Sequence, residues 1–187
     1  MAESPQTAPP AAKKNKHGLV VITTGDGKGK TTAALGLGLR AVGNDMNVCM
    51  VQFIKGKWKT GEQKALEIFG DRFEILPMGD GFTWDTKDRE ADMKRVREGW
   101  DLAMAKVAEG RISMLILDEI LYVLSYDYFP LAELLDFLDN RPAGLHVVLT
   151  GRGAPPELIE RADLVTEMGA VKHPYKAGIK AQKGIEF

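Results

Sequence analysis

The stretch Gly25-Asp26-Gly27-Lys28-Gly29-Lys30-Thr31-Thr32 constrains this chain more than any other. It follows the apolar run Leu19-Val20-Val21-Ile22 and opens into Ala33-Ala34-Leu35-Gly36-Leu37-Gly38-Leu39-Arg40. Strand, glycine loop, helix is the context a phosphate-binding loop requires. Glycines let backbone N–H groups converge on an anion without Cβ clashes. The new helix adds its unpaired N–H groups and the positive end of its dipole. In that arrangement Lys30 reaches the phosphates and Thr31 offers its hydroxyl to a bound Mg2+. The general pattern G-x-x-x-x-G-K-[ST] begins with glycine. Here Thr24 stands at that position and Gly25 follows it, so the loop reads as a variant.

The rest of the chain alternates strand and helix signals. Gly18–Thr23 reads as the first strand and Lys30–Val42 as the first helix, ended by Gly43-Asn44. Asn47–Phe53 is, after Asn47 itself, apolar except for Gln52, as a buried parallel strand should be. A polar loop, Gly56–Gly61, precedes a short helix over Glu62–Phe69 and a short strand over Phe73–Leu76. The loop from Pro77 to Thr86 carries Phe82 and Trp84. Asp88–Glu109 reads as a long helix whose apolar face is Met93, Val96, Trp100, Ala103, Met104 and Val107. Strands over Arg111–Leu117, Leu145–Thr150 and Leu164–Met168 follow, with helices over Leu131–Asn140 and Pro156–Ala162 between them. The expectation is an α/β fold with a mostly parallel sheet of about five or six strands and helices on both faces, P-loop NTPase-like. Ligands in such sheets bind beyond the carboxyl ends of the strands. The glycine loop, Asp118-Glu119 and Gly151-Arg152-Gly153 all follow strands and should meet there.

Composition narrows the class. With 187 residues, 44% of them hydrophobic, the chain has enough material for one real core. Residues 1–16 are Ala- and Pro-rich and then basic, and read as a flexible segment ahead of a single domain over 17–187. A net charge of -1 gives no bulk attraction to nucleic acid. Cys49 is the only cysteine and reads as a small buried residue. No apolar run approaches a membrane span, and the N-terminus lacks the order of a signal peptide, which points to a cytoplasmic protein.

Three further features bear on chemistry. A carboxylate at the tip of the strand ending Leu117-Asp118-Glu119 can hold Mg2+ beside Thr31. Alternation points the two acids apart, and which of them binds metal stays open. Phe82 and Trp84 are either core anchors or an apolar wall for a large flat ligand. The basic run Lys172, His173, Lys176, Lys180, Lys183 is either a solvated tail or a segment that approaches a polyanion. His17, His146 and His173 are too scattered for a metal site.

With these residues in view, the chain resembles the P-loop class of corrinoid adenosyltransferases. The resemblance rests on Gly25–Thr32, Gln52-Phe53-Ile54-Lys55-Gly56, Gly81-Phe82-Thr83-Trp84, Leu117-Asp118-Glu119-Ile120 and Leu149-Thr150-Gly151-Arg152-Gly153. It extends to the ending Lys172-His173-Pro174-Tyr175…Gly178-Ile179-Lys180-Ala181-Gln182-Lys183-Gly184-Ile185, and so covers residues 18 to 187. It implies transfer of the 5′-deoxyadenosyl group of ATP to Co(I) of cobalamin or cob(I)yrinic acid a,c-diamide, with release of triphosphate. By the same resemblance Gly25, Asp26, Gly27, Lys28, Gly29, Lys30, Thr31, Thr32 and Arg152 bind ATP. Thr31 and Glu119, with Asp118 in reserve, hold Mg2+ or Mn2+. Phe82 and Trp84 match the family's aromatic pair on the lower corrin face. It further implies a homodimer and an electron-donating reductase or flavoprotein for Co(II) to Co(I). The competing readings are a P-loop phosphotransferase or ATPase acting on a small molecule, and a non-catalytic nucleotide-dependent module. Against the first, no arginine-rich lid is visible: Arg89, Arg95 and Arg97 lie on the patterned helix.

Overall fold

A computed structural model of the protein describes residues 17–54, 60–79 and 88–186. The expectations for residues 1–16, for most of the Gly56–Gly61 loop, and for Phe82 and Trp84 lie outside these. Twelve elements are labelled here: β1 (Val20–Thr24), α1 (Lys30–Val42), β2 (Val48–Gln52), α2 (Gly61–Leu66), β3 (Phe73–Pro77), α3 (Arg89–Ala108), β4 (Met114–Asp118), α4 (Ile120–Ser125), α5 (Leu131–Asn140), β5 (His146–Thr150), α6 (Pro156–Arg161) and β6 (Leu164–Glu167). The six strands make one sheet in the order β3-β2-β4-β5-β1-β6. Every pairing is parallel. The mostly parallel sheet expected from the sequence is therefore wholly parallel, with helices on both faces.

Strand alternation sends side chains into two cores. Val21, Val48, Met50, Met114, Ile116 and Val148 join Ala34, Leu35, Ala41 and Val42 of α1. Val20, Ile22, Cys49, Val51, Leu115, Leu117, Val147 and Leu149 join Val96, Trp100 and Ala103 of α3, Leu134 and Leu138 of α5, and Leu158 of α6. Trp100 anchors the second core, with its ring 4.6 Å from Phe129 and 5.5 Å edge-on to Phe137. Cys49 is fully buried, and burial pushes its thiol up to about 12. It is a small core residue, as its apolar neighbours suggest.

Helices α1 and α5 begin and end where the sequence places them. Other boundaries shift by a few residues: β4 starts at Met114 rather than Arg111, and β5 at His146 rather than Leu145. The expected helix Glu62–Phe69 is instead α2, opened by a Thr60–Gln63 capping box and passing into a 3-10 turn over Glu67–Arg72. Helix α4 was not expected. Its sequence, Ile-Leu-Tyr-Val-Leu-Ser, is apolar nearly all round because Ile120, Leu121, Val123 and Leu124 are all buried, so no amphipathic period marks it. A 3-10 turn at Pro174–Ala177 also interrupts the tail. On α3 the buried stripe is Asp92, Val96, Gly99, Trp100 and Ala103. Met93 falls on its flank and is exposed, which corrects the apolar face read from sequence. Asp92 is tolerated inside because Arg95, one turn on, bonds its carboxylate at 3.2 Å.

At the amino-terminal edge of the sheet, the Leu19 N–H donates to Nδ1 of His146 at 3.1 Å. Burial, then the positive charges of Arg141 and His17, hold this imidazole below its ordinary pKa. The folded state thus favours neutral His146. Its contribution is present above the unfolded pKa, near 6.5, and is lost as pH falls from there through the folded value. We expect the melting temperature to decline with acidification across that window, and the decline to shrink in His146→Asn, whose side-chain oxygen keeps an acceptor without a proton to gain. Identical pH profiles for the two proteins would refute this role.

Candidate functional site

The turns after β1, β4 and β5 meet at the carboxyl edge of the sheet, and Asp118 is their centre. It is the last residue of β4 and is fully buried. Its Oδ1 accepts from the Thr31 hydroxyl at 2.9 Å and from the Thr150 hydroxyl at 2.7 Å, and its Oδ2 accepts from Gln52 Nε2 at 3.0 Å. Register explains this meeting. Gln52 lies beside Asp118, Leu117 beside Leu149, and Thr23 beside Thr150. Gln52, Asp118, Thr150 and Thr23 therefore form one polar row across β2, β4, β5 and β1. The row lies on the sheet face that α1 covers, and all four residues are buried.

Glu119 follows at φ +66, and its N–H donates to Thr150 Oγ1 at 2.8 Å. The left-handed turn drives the chain straight into α4. The choice between the acids that the sequence left open now has a geometric difference. Asp118 touches the Thr31 hydroxyl, while Glu119 contributes negative charge to the surroundings of Lys30. A hydroxyl beside carboxylates is the hard-oxygen donor set that Mg2+ or Mn2+ takes, so these residues fit such an ion. Among the described residues no group of three or more His, Cys, Asp or Glu gathers as a metal cluster.

The glycine loop is closed on itself. Lys30 Nζ donates to the carbonyls of Gly25 at 2.6 Å and Gly27 at 2.7 Å. Burial, then Arg152, lowers the pKa of Lys30, while Asp26 and Glu119 oppose the shift. Arg152, from the turn after β5, pairs with Asp26 at 3.4 Å and lies 5.8 Å over the Tyr122 ring. Gly29 caps α1 at φ +107 without a side-chain bond, so the first N–H groups of this 13-residue helix have no side-chain cap. Thr32 is exposed on the first turn.

Two glycines serve a close approach that the sequence did not reveal. A Cβ on Gly25 would sit 2.5 Å from the Met168 carbonyl oxygen, and one on Gly27 2.7 Å from the Gly169 oxygen. The Gly27 N–H donates to that same Met168 carbonyl at 2.6 Å. The chain leaving β6 thus lies directly against the loop. Thr24 ends β1 as an ordinary strand residue, accepting from the Ala154 N–H at 3.4 Å, so the first position of the pattern has no need of glycine here. The tail reaches the loop with an acid, since Glu186 pairs with Lys28. The basic residues Lys172, Lys176, Lys180 and Lys183 are exposed.

Sequence reasoning missed Thr150 and passed over Gln52 as a site residue. A usable signal existed for both, because each is a polar residue that closes a strand directly after at least three apolar residues. The Oε1 of Gln52 is buried and has no hydrogen-bond partner among the described residues. Such an atom costs about 1–3 kcal/mol. Phe82 and Trp84 lie outside the described residues. The strand that leads toward them is held in place, with the Met78 N–H on the Gln52 carbonyl at 2.9 Å.

A model of the family described as ATP:corrinoid adenosyltransferase BtuR/CobO/CobP matches residues 16–187. A corrinoid adenosyltransferase of Sinorhizobium is 47% identical over 179 residues, covering 95% of this chain and 84% of its own. One from Escherichia coli K12 is 45% identical over 177 residues, covering 95% and 89%. Among solved structures, the flagellar accessory protein FlaH of Methanocaldococcus jannaschii superposes with a TM-score of 0.56 at 13% identity, covering 81% of this chain and 71% of that one. At that identity the likeness concerns the fold alone.

Proposed function

This chain belongs to the ATP:corrinoid adenosyltransferase family, and from that premise we propose how its residues carry the reaction. Co(I) of the corrinoid substrate donates an electron pair to C5′ of ATP. A Co–C5′ bond forms, the C5′–O bond breaks, and its electron pair leaves with triphosphate. No side-chain nucleophile is required, so the protein positions the substrates and stabilises the leaving charge. The observation that carries this assignment is the meeting of Lys30, Thr31 and Asp118 at the strand edge.

Gly25–Thr32 holds the triphosphate, with the uncapped start of α1 as its floor. Lys30 leaves the Gly25 and Gly27 carbonyls and turns its ammonium to the phosphates. Arg152 faces the same charge from across the loop. Thr31, with Asp118 or Glu119, would hold Mg2+ or Mn2+, which when bound neutralises charge on the triphosphate. The protein acts in the cytoplasm as a homodimer, with a reductase or flavoprotein supplying the electron that makes Co(I). The supports for these last points are family likeness and, among the described residues, the lack of a helix long and apolar enough to cross a membrane. The preferred corrinoid is cobalamin or cob(I)yrinic acid a,c-diamide.

The direct test is anaerobic incubation of the protein with ATP and chemically reduced cobalamin, followed spectrally and by analysis of the phosphate product. Triphosphate and an alkylated cobalt are the expected products. ADP would point instead to phosphoryl transfer.

Phe82 and Trp84 complete the proposal as a wall on the lower corrin face that keeps cobalt free of an axial ligand. Phe82→Ala and Trp84→Ala should then slow turnover most when the assay starts from Co(II). With Co(I) supplied, the difficult electron transfer has already occurred and the loss should be much smaller. Core anchors would behave differently, with truncation costing roughly 3–5 kcal/mol of stability and harming both assays alike. Melting temperature and rate, measured in each cobalt state, separate the two.

A further inference from the structure

We propose that Gln52 is a positioning residue of this site: its Nε2 fixes the Asp118 carboxylate, and its Oε1 accepts from a water carried by the divalent cation. The inference rests on the divalent-cation reading given above. Gln52 is 4% exposed, at the carboxyl end of β2. Its strand neighbours Val51 and Phe53 belong to the opposite core, so the side chain stands in the polar row beneath α1.

The amide has one workable orientation. Nε2 donates to Asp118 Oδ2 at 3.0 Å. Turned over, the amide would set its oxygen against the carboxylate oxygen, two acceptors face to face. The Asp118 charge therefore leaves Oε1 as the outward end, and it is the end without a partner among the described residues. An apolar side chain of similar length would fill the same space without leaving an acceptor unmet. An acceptor kept at that cost beside a buried carboxylate points to a donor that arrives with the ligand.

Among the described residues, the side-chain donors of Lys30, Thr31 and Thr150 are committed. The Thr31 and Thr150 hydroxyls serve Asp118 Oδ1, and the Lys30 ammonium serves the Gly25 and Gly27 carbonyls. Mg2+ and Mn2+ keep several waters when they bind to one or two carboxylates and a phosphate chain. Those waters donate outward, and partners that receive them orient the whole site. Through Asp118, Gln52 is two hydrogen bonds from Thr31.

The test needs neither corrinoid nor turnover. Mn2+ binding to the full chain is measured by electron paramagnetic resonance in the presence of inorganic triphosphate, alongside melting temperature. Gln52→Met should bind Mn2+ about tenfold more weakly, with its melting temperature within about 4 °C of the parent. Gln52→Glu, sharing one proton with the Asp118 carboxylate, can donate its O–H to Asp118 Oδ2 and keep its other oxygen as an acceptor, so it should bind Mn2+ more tightly than Gln52→Met. Unchanged Mn2+ affinity in Gln52→Met, while Thr31→Ala loses it, would overturn the role of Gln52 and leave the cation site standing. Equal losses in Gln52→Met and Gln52→Glu, or a Gln52→Met protein that fails to fold, would also overturn it. A parent protein that binds no Mn2+ removes the cation reading and this inference together.

Discussion

Lys30→Ala is expected to slow adenosyl transfer by on the order of 10²-fold or more, the scale of losing one preorganised electrostatic stabiliser. The fold should survive. Among the described residues Lys30 bonds only to loop carbonyls, and it lies outside both hydrophobic cores. The melting temperature should therefore move little, which separates a charge effect from unfolding. The environment adds a second signature. Because burial and Arg152 lower the Lys30 pKa, its charge is lost at a lower pH than that of an ordinary lysine. The parent's kcat/KM for ATP, which reports the free protein, should accordingly begin to fall on the alkaline side earlier than a free lysine would dictate. Lys30→Arg, whose charge persists, should lack that alkaline limb. Near-normal turnover in a folded Lys30→Ala protein would show that the loop is not the site of transfer.

Substitution of Asp118 should separate structure from chemistry. Asp118→Ala strands the Thr31, Thr150 and Gln52 donors, the last two of them buried. A loss of about 3 kcal/mol is expected, or roughly 6–12 °C in melting temperature for a chain of this size. Asp118→Asn is the informative companion. Its oxygen can still accept from both hydroxyls, and Gln52 can turn its amide so that Oε1 accepts from the new NH2. The variant should therefore melt close to the parent. It has lost the negative charge beside Thr31, so the transfer rate should still fall by about 10²-fold. Thermal melts and rates across a metal titration check both. An Asp118→Asn protein with full activity at low metal would exclude this carboxylate from the cation site and leave Glu119 as the acid to examine.

The sequence carried much of this molecule. Leu19–Ile22 ahead of a glycine loop and a helix announces strand, turn and helix in one stretch, because each depends on neighbours close in the chain. Helices α1 and α5 were bounded correctly for the same reason: a glycine stop for one and a preceding proline for the other are local signals. Helix α4 was hidden because it is buried almost all round, which erases the period that betrays an amphipathic helix. Met93 was misplaced because a helix period gives a face but not its centre, and the partner elements decide which neighbouring position is covered.

Long-range geometry belonged to the tertiary structure. Alternating strands and helices, with a glycine loop after the first strand, sufficed to place the candidate site's three turns at the carboxyl edge of a parallel sheet. Strand order was not in the pattern. The sequence β3-β2-β4-β5-β1-β6 brings Gln52, Asp118, Thr150 and Thr23 into one buried row from positions far apart in the chain. Only hydrogen-bond register between strands can align such residues, and register is a property of pairs. The same holds for Gly25 and Gly27. The sequence marks them as phosphate-loop glycines, but the crowding that forbids a Cβ comes from Met168 and Gly169 at the end of β6. Local chemistry was written in the order of residues, and contact between distant strands was decided by folding.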